Sequence, residues 1–424
     1  MSFLLKLPYM FRSYVNRDEK HVAKFFQRVH EKDSEYAVRD GLVRLVQQNA
    51  AALNLWAEYR YKGYKYLSKP ARRRMYENLA RIQELFEQHC AAHPLAPEAV
   101  AQHVGQVRTD TGLALQEPDK LVFLAQIMDF LRPAHGRYVY RASSSFGRLL
   151  QSPDDTTLEG DCNQIVTLYI YLYSTRYDVS ELRLVSLPGH VALHFRGVDV
   201  EATNASFTFH DKPERRVVPV QEIVSINLLD TSDSYFKQHK IPAETFLQAA
   251  RLAYMISSER ELVRKNLKAA YNNAVKELLE HKKFKTALVY ARQAEDGALV
   301  ELVGHNGAVY FMKKNQFASA RSYAAHTRRS AELNKTISHN EGVFYYKAGK
   351  FHEAVRAFQR NNDHTMVQRC YEGLFFREQK LIAGAKTVDQ LQSHRATIYR
   401  MRDYAQKSGN FKLISHVNEL IRHL

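Results

Sequence analysis

A single cysteine at position 162, in EGDCNQIVTLYIYLYS, stands between a Gly-Asp pair and a long apolar-aromatic run. A cysteine that opens a helix is suited to nucleophilic chemistry, because the free N–H groups and the dipole at a helix start favour thiolate over thiol. Gly160 is expected to permit a sharp turn before it, and the backbone N–H of Cys162 would help hold a developing oxyanion. Such chemistry also needs a base and a group that orients the base. His190, in LPGHVALHF, offers the first and Glu201, in VDVEAT, the second.

The spacing between these residues is testable. Arg196-Gly197 fits a two-residue connection between HVALHF and VDVEATNASFTF, two runs that read as strands. With Phe195 opposite Val198, Asp199 falls opposite His194 and Thr203 opposite His190. Strand alternation then puts Asp199, Glu201 and Thr203 on the sheet face that carries His190. Glu201 is the diagonal neighbour of His190, within reach of a long side chain, while Asp199 would serve His194 and is the alternate third group. A different chemistry is open on the same face, because His190, His194 and Glu201 are ligand types that suit zinc. No fourth ligand and no HExxH helix accompany them, and no P-loop or dinucleotide glycine pattern occurs, so no cofactor is expected.

The helix-opening GDC, the histidine that begins a strand and the acid with threonine on the next strand resemble the transglutaminase-like branch of the papain-like cysteine hydrolases. The resemblance covers roughly residues 136–210 and implies a triad ordered Cys162, His190, Glu201. In that family the acid is usually aspartate in an Asp-Pro-Thr-like setting, so Glu201-Ala202-Thr203 departs by a longer carboxylate, and the family's core tryptophans are missing. The implied activity is that of a cysteine protease, amidase or transglutaminase-like acyltransferase working through a thioester. The rival is a fold without chemistry that serves as an interaction adaptor.

These residues must be positioned by a chain whose pattern changes along its length. Residues 1–135 read as helices punctuated by prolines, with apolar residues at helical spacing in DGLVRLVQQNAAALNLWAEYRY, RRRMYENLARIQELFEQHC and PDKLVFLAQIMDFL. Residues 136–245 read as one helix, CNQIVTLYIYLYSTRY, followed by three strands, an α+β arrangement within a mainly helical chain. From 246 to 424 helical periodicity returns, now with a repeat: Phe284, Phe317 and Phe351 recur with Ala287, Ala320 and Ala354 at a fixed offset. A period of about 34 residues belongs to stacked helix pairs. These segments resemble tetratricopeptide repeats, which implies an α-solenoid that binds a peptide or protein partner. The family's early glycine is matched by Gly342 but by Ala308 and Val275 in the other two units. Asn273, Asn306 and Asn340 keep the same spacing and are open to two readings, contact with a bound peptide backbone or hydrogen bonding between helices.

The chain is long enough, at 424 residues, for more than one core. Three scattered cysteines with no CxxC pair argue against a disulfide framework or a cysteine zinc site, and fit a reducing cytoplasm. The N-terminal MSFLLKLPYMFRSYVNRDEK is interrupted by charge and proline and has no small-residue cleavage site, so export is not expected, and no apolar run is long enough to span a membrane. The formal charge of +16 raises the question of nucleic acid. The densest basic run, RYKGYKYLSKPARRR at 60–74, reads more simply as a solvated helix surface and linker, since no nucleic-acid motif accompanies it.

Overall fold

The computed structural model describes residues 13–30, 32–107, 111–154, 157–230, 235 and 238–424. Most of the N-terminal segment considered for export therefore lies outside the described residues. The chain is 68% helical, with 20 helices and seven strands among the described residues, and divides into two compact units at Ala274/Val275.

In the first unit the helices are α1 (Arg17–Arg28), α2 (Glu35–Tyr61), α3 (Lys69–Ala92), α4 (Pro97–Gly105), α5 (Gly112–Leu115) and α6 (Pro118–Phe130). Then come β1 (Tyr138–Tyr140), α7 (Phe146–Leu149), β2 (Leu158–Gly160) and α8 (Cys162–Ser174). The sheet strands are β3 (Arg183–Leu187), β4 (His190–Phe195), β5 (Val198–Glu201), β6 (Ser206–Thr208) and β7 (Arg216–Pro219), followed by α9 (Glu222–Leu229) and α10 (Ala243–Ile256). The next helix, α11 (Arg260–Glu280), contains the division. One hydrophobic core runs from Val22 in α1 to Val263 in α11, so the helices before residue 135 and the sheet after it share it. The first two regions expected from the sequence thus form a single unit.

Helix α8 is the centre of that core. Ile165, Val166, Leu168, Tyr169, Ile170, Leu172 and Tyr173 are all buried, against α2, α6, α9 and strand β4. A helix apolar on every side is one enclosed on every side, which explains the run that follows Cys162. The five strands lie in the order β6-β5-β4-β3-β7 with antiparallel neighbours, and β1 pairs with β2 in a separate parallel ribbon.

Several expectations are corrected. VDVEATNASFTF is two strands, because the chain turns over Ala202–Ala205, with Ala205 in the left-handed region at φ 56°, and returns as β6. Strands β1, β2 and β7 are short and were not read from the sequence. The predicted helix over 40–61 is interrupted at Asn49, whose backbone is extended and whose Oδ1 accepts the N–H of Ala52, capping the second half. The basic run at 60–74 is not a solvated surface throughout. Lys62 and Arg72 are buried, and Arg72 donates through Nε to Glu19 at 2.7 Å and lies over the Tyr59 ring at 3.7 Å.

The second unit consists of α12 (Phe284–Gln293), α13 (Gly297–Lys313), α14 (Phe317–Ala324), α15 (Ser330–Lys347) and α16 (Phe351–Gln359). It continues with α17 (His364–Ile382), α18 (Val388–Ser393), α19 (Arg395–Ser408) and α20 (Phe411–Arg422). From α12 to α17 each helix packs on the next in sequence. Ala287, Ala320 and Ala354 are fully buried, and Gly342 lies where an added Cβ would come within 2.6 Å of the Phe358 ring, so small residues set the helix spacing. The repeat also extends to the backbone. Lys282, Asn315 and Gly349 all have positive φ, and the next N–H in each case reaches back to a carbonyl five residues earlier: Lys283 to Leu278, Gln316 to Phe311 and Lys350 to Tyr345. This is the Schellman closure of a helix. Asn273, Asn306 and Asn340 are exposed, and the last two donate to carbonyls of their own helices, Leu302 and Thr336. Asn340 also meets Met312 Sδ on α13 at 3.3 Å.

Candidate active site

Cys162 is the first residue of α8, with Asp161 as its N-cap. The Asp161 carboxylate accepts the N–H groups of Asn163 at 3.0 Å and Gln164 at 3.4 Å, so two of the free donors at the helix start are already bound to it. Gly160 has no left-handed backbone. It ends β2, and glycine is needed there because a Cβ would lie 2.7 Å from Leu149 Cδ1, so close packing rather than a sharp turn explains it.

The hairpin register is the one predicted: Phe195 faces Val198, His194 faces Asp199 and Leu193 faces Val200. Arg196 and Gly197 both have positive φ, as a two-residue hairpin turn of this hand requires. Thr203 lies beyond the end of β5 in the turn, so the ladder stops before His190. The diagonal contact is nonetheless made. His190 Nε2 lies 2.7 Å from Glu201 Oε2, while Glu201 Oε1 accepts from the Thr203 backbone N–H at 3.1 Å and from its hydroxyl. Cys162 lines the same cleft as His190, and its thiol lies 3.8 Å from Asn163 Oδ1. The structure therefore brings Cys162, His190 and Glu201 together in that order. Asp199 faces His194 at 2.7 Å and does not touch His190.

The electrostatics follow from these contacts. Hydrogen bonds first to Cys162 and then to Glu201 raise the His190 imidazole to about 10, against the opposing effect of burial. Burial pushes the Glu201 carboxyl up, but the hydrogen bonds from His190 and Thr203 outweigh it and hold the group at about 2. Burial pushes the Cys90 and Cys370 thiols up to about 11.

Two further residues join the network that sequence reasoning did not identify. His210 Nε2 lies 3.1 Å from Glu201 Oε2, and its Nδ1 lies 3.2 Å from Asp199 Oδ2. Arg215 donates through Nη2 to Asp199 Oδ1 at 2.8 Å. The signal was alternation: Thr208 pairs with Asp199, so His210, two residues on, falls on the same face. The metal set predicted from the sequence is corrected in the same way. His194 is tied to Asp199 through Nδ1 and accepts the Gly197 N–H at Nε2, so it does not join His190 and Glu201, whereas His210 does.

Cys162 and His190 border a cleft of about 420 Å³, whose wall includes Tyr140, Asn163, Asp230 and Asn266. That is a volume fit for a small side chain or a short peptide segment. A charged cluster adjoins the start of this helix. Asp230 accepts from Gln164 Nε2 at 3.3 Å and lies 3.8 Å from Lys62 Nζ. Burial, and then the Asp230 charge, raise Asp161 to about 7, with Lys62 opposing.

A carboxyl raised on folding from 3.8 to about 7 binds its proton more tightly in the native state. Its contribution to stability is present in acid and is lost as pH rises from about 4 to about 7. Asn is an equally good N-cap and carries no charge. Asp161→Asn is therefore expected to match wild type in Tm near pH 4 and to exceed it by several degrees at pH 7, read by thermal unfolding across that range.

The chain matches no protein-family model and no curated protein. Among the described residues no helix is long and apolar enough to cross a membrane.

Proposed function

We propose that the first unit carries a transglutaminase-like cysteine acyl-transfer site, acting on the carbonyl of a peptide, amide or side-chain carboxamide. The observation that carries this reading is the hydrogen-bonded His190–Glu201 pair on the wall of the cleft that Cys162 also lines, with Cys162 opening a helix. The Cys162 sulfur attacks the carbonyl carbon, and its proton resides on His190. The tetrahedral intermediate collapses by breaking the C–N bond, and His190 delivers the proton to the departing amine. The thioester is then cleaved by water, or by an amine in the transglutaminase mode. Glu201, fixed by Thr203, holds the imidazole in position. The second unit is proposed to be a tetratricopeptide-like array that engages a peptide or protein partner. Its support is the coincidence of sequence period, buried alanines and repeated Schellman closures.

Alkylation tests the site without knowledge of the substrate. At pH 6–7 iodoacetamide is expected to modify Cys162 on the order of 10² times faster than a free thiol in solution such as glutathione; Cys90, whose thiol burial pushes up to about 11, is no reference. A Cys162 no faster than the free thiol, identified by peptide mapping, sinks the enzyme reading and leaves an adaptor.

A further inference from the structure

Three groups in the network converge on one point. Glu201 Oε2 is approached by His190 Nε2 at 2.7 Å and by His210 Nε2 at 3.1 Å. One ligand atom from each of His190, Glu201 and His210 lies within 4.8 Å of the other two. The other atom of two of the groups is already held: Glu201 Oε1 by Thr203 and His210 Nδ1 by Asp199. Metal ligands in proteins are oriented in this manner, each imidazole bonded through its remaining nitrogen to an outer acceptor.

We propose that His190, Glu201 and His210 form a binding site for a divalent transition cation of the zinc class. Two imidazoles and one carboxylate with an open position are a frequent zinc set, and imidazole nitrogen argues against calcium or magnesium, which take oxygen. Ligand bonds of about 2.0–2.2 Å place tetrahedral ligand atoms roughly 3.3 Å apart. The separations from Glu201 Oε2, 2.7 Å to His190 and 3.1 Å to His210, need to open by about 0.6 and 0.2 Å. The side chains of His210 and Glu201 are largely shielded, and His190 borders the cleft, which supplies the entry path.

The proton balance is simple. The cation takes the Nε2 lone pair of each histidine and one carboxylate oxygen, and any proton on either Nε2 leaves to solvent. Each histidine keeps its Nδ1 proton, which His210 donates to Asp199. His190 then has no free nitrogen with which to accept the proton of a thiol, so the bound cation and the acyl-transfer cycle exclude each other. Binding itself does not depend on the acyl-transfer reading.

The test is direct binding of zinc to the full chain, freed of metal by chelation, followed by calorimetry. One stoichiometric site is expected, with His210→Ala and Glu201→Gln weakening it by at least about tenfold and Cys162→Ser leaving affinity within about threefold. Cobalt(II) bound to wild type supplies a check that needs no variant: visible absorption of a tetrahedral centre without a thiolate charge-transfer band. Absence of a stoichiometric site, affinity indifferent to His210→Ala, or a thiolate band overturns the proposal. None of these readouts involves substrate, so a failure here is distinct from a failure of Cys162 to react.

Discussion

Cys162→Ala is expected to lower amide cleavage by about 10⁴–10⁶-fold, measured as amine or ammonia released from a peptide carboxamide substrate. In the proposed cycle the sulfur is the protein atom that bonds to the substrate, so its loss leaves whatever the cleft and the helix start contribute to binding and charge stabilisation. The fold should be indifferent, because Cys162 is small and sits at the edge of the core, and circular dichroism and Tm serve as controls. Glu201→Gln is a finer probe of the same site. Its carboxamide keeps the size of the side chain but can present an NH₂ donor to His190 Nε2, which favours a different tautomer. Where an analogous carboxylate orients a catalytic histidine, that exchange costs about 10⁴-fold. Turnover that survives Cys162→Ala would show that the chemistry lies elsewhere. Turnover that survives Glu201→Gln but not Cys162→Ala would reduce Glu201 to a structural role.

How much of this site was legible depends on the range over which each feature is encoded. The Cys162 helix and the His190 hairpin are local: a capped apolar run, a two-residue Arg-Gly turn and strict alternation fix them within about 40 residues of chain. Register then placed Glu201 within reach of His190 and assigned Asp199 to His194, both of which the geometry contains. His210 and Arg215 were missed because VDVEATNASFTF was read as one strand, so the return of β6 alongside β5 was not anticipated. Asn204 in that segment was the available turn signal.

Features written across long separations were not legible. The break in α2 at Asn49 depends on Asp18, which receives the Asn49 Nδ2 at 2.9 Å from another helix. The merging of the first two regions depends on α8 being enclosed by helices from both, and no local pattern says so. The repeat in the second unit lies at the other extreme. Its period is visible in the residues, although the shared backbone closure at Lys282 and Asn315 is hidden, since neither is the glycine that such positions favour.

The basic run at 60–74 carries the second large prediction, because its net charge in the sequence misstates its role. Arg72 and Glu19 are both fully buried, and Arg72 also donates to the carbonyls of Leu67 at 2.7 Å and Ser13 at 2.8 Å. Arg72→Met removes the cation and leaves the Glu19 carboxylate enclosed without its partner, with the two carbonyls unpaired. Breaking a buried pair in this way costs about 3–5 kcal/mol. The expected result is a clear fall in the Tm of the first unit's transition, followed by calorimetry. Adding Glu19→Gln should recover part of the loss, since a neutral side chain is cheaper to bury, its one oxygen can still accept the Val15 N–H, and its NH₂ can donate to the Tyr76 hydroxyl oxygen. A double variant as unstable as Arg72→Met would locate the cost in the carbonyls and the Tyr59 stacking instead. Either way Arg72 is committed to holding α1 on α3, and with Lys62 also buried, at most five of the run's seven basic residues face outward to meet a phosphate. If single-stranded nucleic acid binds this chain at all, Arg72→Met should leave the salt dependence of its affinity unchanged in the folded protein.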